Sequence, residues 1–282
     1  MTALVDSHCH LQSDRFAADL DLVVGGARVA GVERILVPGW DEASCAGALA
    51  VVERFPWIDA AVGVHPHDAA TVDDDGWARV VSLARDERVV AVGETGLDFD
   101  RVFSPIAAQL ANLRRNLTLA AETGKPAILH CRSAAGRRDA QDTLVDELRR
   151  AGFDDAGAAP FGGRPPAVVH SFSGPVDFAR AVLDMGLAIS FSGLAFRAGE
   201  EASAEVAAAV PRDRLLVETD SPFLSPPGAP RKRNDPEWVR VTAAWVAEVR
   251  GEVVEGIGTG LVATYDAIFP RAGGLTRQPR RG

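Results

Sequence analysis

Six histidines fall at or just past the ends of short apolar runs: His8 and His10 in "ALVDSHCHL", His65 and His67 in "AVGVHPH", His130 in "PAILHC" and His170 in "AVVHSFSG". One histidine in a loop is more often a solvated or hydrogen-bonded ring than a ligand. Six sharing one position relative to their strands point instead to a metal. Two acids are placed alike, Glu94 in "VGETGLD" and Asp220 in "VETDSP". Imidazole with carboxylate suits divalent first-row ions, and a glutamate can join two ions through its two oxygens. His8, His10 and Asp220 are therefore assigned to one ion, His130 and His170 to a second, and Glu94 to both. Residues two apart on an extended chain project to the same side, so His8 and His10 can chelate together. By the same parity Asp6 lies on the face of His8 and Glu218 on that of Asp220, where either carboxylate could orient a ligand ring. His65 is expected to contact a substrate phosphate, and His67, after Pro66, to be a loop residue.

The elements that must position these groups are eight short apolar runs, at 3–6, 34–39, 59–65, 89–94, 127–130, 167–170, 187–193 and 215–220. They alternate with segments of helical period, among them 41–55, 105–123, 176–185 and 201–209, and a long C-terminal region at 237–269. Eight such units predict a (β/α)8 TIM barrel with the metal site at the C-terminal ends of the strands. A doubly wound open sheet would want a Gly-rich turn after its first strand, and that turn reads "SHCHLQSD". A single domain over 1–270 is expected, followed by a frayed basic tail at 271–282. The stretch "AGFDDAGAAPFGGRPP", 151–166, reads as a long surface loop.

With 47% hydrophobic and 24% charged residues in 282, the chain can build a large core, and disorder is not its default. Its formal charge of −9 excludes a generally polyanion-binding surface. Nucleic-acid contact must then come from local clusters: Arg132, Arg137 and Arg138 after strand five, and Arg231, Lys232 and Arg233 after strand eight. Arginine grips phosphate bidentately, so Arg132 and Arg233 are candidate substrate contacts. Phe99, Phe103, Phe196 and Trp238 are expected to pack in the core rather than to stack on bases. Three cysteines, an odd number, argue against a disulfide framework, and Cys9 and Cys131 are read as packed thiols. With neither a signal-peptide pattern nor a run of eighteen apolar residues, a cytoplasmic location away from membranes is expected.

The ordered series "VDSHCHL", "GVHPH", "VGETGLDF", "KPAILHCR", "VVHSFSG", "ISFSG", "VETDSPFL" and "RKRNDP" resembles the TatD-like deoxyribonucleases over roughly residues 4–270. The resemblance implies a TIM-barrel, amidohydrolase-like hydrolase whose metal ligands fall on His8, His10, Glu94, His130, His170 and Asp220. It further implies two divalent ions per chain (Mg2+, Mn2+ or Zn2+) and hydrolysis of DNA phosphodiesters, with exonuclease action on single strands or ends. Glu94 and Asp220 are the expected catalytic carboxylates, with Asp220 taking or steering the proton of the attacking water. The alternative is a barrel hydrolase of a small ester, lactone or amide, or of an aminoacyl-tRNA ester. The small-ester and lactone branch often bridges its metals with a carboxylated lysine, and Glu94 at the strand-four position favours the nuclease. Ser133 after "HCR" and Thr264 before "IF" depart from the family pattern.

Overall fold

Eight parallel strands form one sheet in sequence order in the computed structural model, which describes residues 2–155, 157 and 160–270. They are β1 (Leu4–Asp6), β2 (Val32–Pro38), β3 (Asp59–Val62), β4 (Val89–Asp98), β5 (Ala127–Arg132), β6 (Ala167–Val169), β7 (Ala188–Phe191) and β8 (Leu215–Val217). Between them run α1 (Leu20–Val29), α2 (Glu42–Arg54), α3 (Asp74–Leu83), α4 (Ile106–Thr123), α5 (Asp139–Arg150), α6 (Val176–Asp184) and α7 (Ala202–Ala209). Two more helices follow β8, α8 (Val239–Arg250) and α9 (Val254–Ile268). Strands covered by helices outside and packed side chains inside are buried on both faces, which explains their near-continuous Val, Ile, Leu and Ala.

The barrel closes between its first and last strands. Ser7 N donates to Val217 O at 3.1 Å, Asp220 N to His8 O at 2.9 Å and His10 N to Ser221 O at 2.7 Å. These bonds continue past the regular ends of β1 and β8, so both segments enter the mouth in fixed register. Helix α9 packs against β1 closely enough that a Cβ at Gly258 would lie 2.2 Å from Ala3 O. Glycine is required there for the approach.

The (β/α)8 architecture is as the alternation predicts, with shifted boundaries. Strand β4 runs on to Asp98, pairing Asp98 with Arg132 of β5, so Glu94 sits within a strand rather than at its end. The third strand stops at Val62, leaving His65 in the turn beyond. The C-terminal helical region breaks in two at Gly251, whose φ of 63° caps α8 in the left-handed conformation.

The loop at 151–166 is less open than its composition suggests. Phe153 and Phe161 are both buried, with ring centroids 5.1 Å apart, and the Arg164 guanidinium donates to Gly124 O at 2.9 Å. Because it joins a helix to the following strand, this loop lies at the end of the barrel opposite the strand C-termini. The tail at 271–282 lies outside the described residues. Among the described residues no helix is long and apolar enough to cross a membrane.

Candidate metal centre

All six histidines converge on the C-terminal mouth of the barrel around Glu94. Its carboxylate is buried, and its two oxygens face different partners. Oε2 lies 3.2 Å from His8 Nε2 and 3.7 Å from His10 Nε2. Oε1 lies 2.8 Å from His170 Nε2, 3.2 Å from His130 Nδ1 and 3.2 Å from His65 Nε2. Asp220 Oδ1 completes the first set, 3.7 Å from His8 Nε2 and 3.4 Å from His10 Nε2, and the two imidazole nitrogens are 3.2 Å apart. Four ligands tetrahedrally arranged about 2.0–2.1 Å from an ion stand roughly 3.3–3.4 Å from one another. The His8 and His10 nitrogens thus stand 3.2–3.7 Å from each other and from the Glu94 and Asp220 oxygens, near the spacing a shared ion would impose.

Hydrogen bonds at the far side of the rings set which nitrogen faces the centre. His10 Nδ1–H donates to Pro38 O at 3.3 Å, and His170 Nδ1–H to Glu218 Oε1 at 3.1 Å. Each bond leaves the Nε2 lone pair aimed at the site, the arrangement usual for metal-ligating imidazoles. The His170 Nε2 and His130 Nε2 atoms are buried without a hydrogen-bond partner among the described residues. His170 Nε2 lies 2.8 Å from Glu94 Oε1, where a cation shared with that carboxylate would satisfy it. His65 differs. Its Nδ1 accepts from His67 N at 3.1 Å, and burial, only partly offset by Glu94, lowers its pKa to about 4. A neutral ring accepting at Nδ1 carries its proton on Nε2. Although His65, Glu94 and His130 lie close enough together to hold an ion, His65 presents a donor there.

The electrostatics centre on buried acids among imidazoles. Burial opposes ionisation of Glu94, but His170, His65 and His8 outweigh it and hold its pKa well below the ordinary value. Burial also opposes charge on His170, yet Glu94 and Glu218 raise its pKa well above normal. For His8, burial and the stacked His170 ring, 3.9 Å away, lower the pKa. Burial would raise Glu218, but His170 brings it down to about 2. Three non-glycine residues lining the mouth adopt left-handed backbones, Asp220 at φ 53°, Leu224 at φ 47° and Ser171 at φ 43°. Such conformations cost energy and gather where surrounding bonds enforce a functional geometry.

The supporting acids divide their roles unlike the parity argument. Glu218 does touch a ring, binding His170 Nδ1 and accepting from Ser171 N at 2.8 Å. Asp6 reaches no ring nitrogen; it accepts from Thr219 N at 2.8 Å and Thr219 Oγ1 at 2.6 Å, fixing the backbone just before Asp220. Asp98 escaped the sequence reading. Its Oδ2 accepts from His67 Nε2 at 2.7 Å and lies 3.4 Å from His130 Nε2. Asp98 is four residues beyond Glu94 on a strand of period two, so it shares Glu94's face, and that was the available signal. His67 accordingly lines the pocket instead of standing free in a loop.

The mouth is a pocket of about 360 Å³ walled by His10, Trp40, His65, Glu94, His130 and Asp220. Arg132 also lines it, but its Nε lies 2.9 Å from Asp100. Arg233 binds Asp19 at 2.8 Å and Asp235 at 3.0 Å, with its guanidinium over the Phe16 ring. Arg137 and Arg138 pair with Asp139 and with Asp142 and Asp177. Phe103, expected in the core, is 69% exposed with its ring edge-on to His67, because its segment runs over the mouth rather than under a helix. All three cysteines are buried and free, and none belongs to a potential metal-binding group among the described residues.

A parallel barrel carrying this imidazole and carboxylate cluster at its mouth defines a metal-dependent hydrolase. The family model described as TatD related DNase matches residues 5–270. Similar proteins include an uncharacterized metal-dependent hydrolase, YabD, of Bacillus subtilis, 35% identical, covering 91% of this chain and 94% of that protein. The 3'-5' ssDNA/RNA exonuclease TatD of Cronobacter sakazakii is 38% identical, covering 88% and 91%. The crystal structure of YJJV, a TatD homolog of Escherichia coli, superposes with a TM-score of 0.82 at 30% identity, covering 94% of this chain and 97% of that one. The chain belongs to the TatD-related DNase family.

Proposed function

We propose that this chain is a phosphodiesterase that trims single-stranded nucleic acid from an end, with one divalent ion held by His8, His10 and Asp220 and a second by His130 and His170. Glu94 joins the two. The observation carrying this reading is the division of Glu94, whose Oε2 faces His8 and His10 while Oε1 faces His130 and His170. The exonuclease names of similar proteins supply the substrate class. Bound divalent ions would supply an activated water at neutral pH and neutralise charge on the phosphate. Asp220 has one oxygen directed at His8 and His10 and the other available to receive the proton of the attacking water. His65 presents Nε2–H to the pocket, suited to a phosphate oxygen. Arg132, at the pocket wall, can exchange Asp100 for phosphate, whereas Arg233 acts from a distance by holding the turn after β8. Asp6 and Glu218 hold Asp220 and His170 in place. Three free, buried thiols fit a reducing cytoplasm as the place of work.

The test is protein stripped of metal and reloaded with Mg2+, Mn2+ or Zn2+, then offered end-labelled single- and double-stranded oligonucleotides. Stepwise shortening of the single strand, absent in Asp220→Ala, is the expected result. Hydrolysis of lactones or small esters with oligonucleotides left intact would replace this reading with the small-ester one.

A further inference from the structure

A second concavity, about 660 Å³, adjoins the metal pocket and shares Phe223 and Leu224 with it. Its cations come from three turns that follow strands: Arg15 after β1, Arg197 after β7, and Arg231 and Lys232 after β8. All four are exposed, and among the described residues no acidic one lines the groove. Among the described residues none of the four takes part in an ion pair, unlike Arg132, Arg137, Arg138 and Arg233, each of which has a carboxylate partner. Among the described residues the Arg15 and Arg197 side chains bond only backbone carbonyls, those of Pro222 and Lys232 for Arg15 and that of Ser225, at 3.4 Å, for Arg197. Phe223 stands at the junction of the two concavities, 52% exposed, with its ring 6.1 Å from that of His10 and beneath the Arg15 guanidinium at 5.8 Å.

In a chain of net charge −9, four cations without anionic partners beside the mouth form a local positive field. We infer that this groove binds the phosphates of a single-stranded nucleic acid beyond the bond being cut, with Phe223 offering its face to the base nearest the metals. The inference rests on the phosphodiesterase reading for its direction, since it extends the substrate path out of the metal pocket. Single-strand sites pair such cationic tracks with aromatic platforms because every base has a π-face. Where a carboxylate-bound guanidinium must break an ion pair to meet phosphate, Arg231 and Lys232 need only shed water, and Arg15 and Arg197 give up only backbone carbonyls.

The probe is fluorescein-labelled dT12, bound to the full chain in EDTA and followed by anisotropy between 50 and 200 mM salt. Single-strand binding weakens with salt by about 0.7 in log-log slope per phosphate contact. Four contacts give wild type a slope of about −2.8, and the variant Arg197→Ala/Arg231→Ala/Lys232→Ala one of about −0.7. Over that salt range wild type then loses roughly 18-fold more affinity than the variant. A wild-type slope near zero, measured on unaltered protein, overturns the groove; so does a variant of native melting temperature that binds with the wild-type slope. Because binding is read without metal, failure of the phosphodiesterase reading shows separately, as wild type that binds dT12 but leaves it uncut under every metal.

Discussion

Replacing Glu218 with glutamine tests whether the two halves of the metal centre are separable. The Glu218 carboxylate is fully buried and makes two bonds that set the second ligand group, to His170 Nδ1 at 3.1 Å and from Ser171 N at 2.8 Å. In Glu218→Gln the amide oxygen still accepts both, so the shape survives and only the charge is lost. A hydrogen bond to a charged group exceeds a neutral one by about 1 kcal/mol. Two bonds weakened to that extent amount to about 2 kcal/mol, or roughly a 30-fold loss of affinity for the ion at His130 and His170, within the range seen when ligand-orienting partners are changed. Titration of stripped protein with Co2+, followed by its visible absorption and by calorimetry, should resolve one step near its wild-type affinity and one displaced about 30-fold. Equal weakening of both steps, or no displacement, would refute the division of ligands between the two oxygens of Glu94.

Asp98→Asn removes the anion shared by His67 and His130, and metal affinity on the His130 side should fall about 10-fold or more, read as a higher metal concentration for half-maximal hydrolysis at unchanged melting temperature. Loading stripped protein to 100 times its dissociation constant should add about 2.7 kcal/mol per ion. For a chain of this size that is a rise of about 5 °C in Tm per ion, measured by calorimetry and reversed by EDTA.

The sequence made the barrel and the convergence of its histidines readable because both rest on local pattern: apolar runs fix strands, and parallel closure brings their ends together. What depended on distant partners was not readable. Arg132 and Arg233 read as candidate phosphate contacts, and the carboxylates that pair with them, Asp100 and Asp19, lie beside them only after folding. Arg15 and Arg197, isolated along the chain, join Arg231 and Lys232 only where the turns after β1, β7 and β8 meet. Asp98 and the donor role of His65 required knowing how far β4 extends and which nitrogen His67 N addresses. Helices α1, α3 and α5 were not delimited from sequence. The glycines of α1 and the acids at Asp73, Asp74 and Asp75 that open α3 blur the apolar period. Ser133 accepts from Ala140 N at 2.9 Å and donates to Gln141, so its hydroxyl anchors the start of α5.

The loop held by Phe153 and Phe161 stands at the rear of the barrel, and this gives the protein a natural handle. Gly157 in that loop is exposed, while the three native thiols are all buried. A Gly157→Cys form would offer a single reactive sulfur, so that a dye or a sensor chip could be attached there. Molecules immobilised in this way would all face outward, leaving an incoming strand unobstructed.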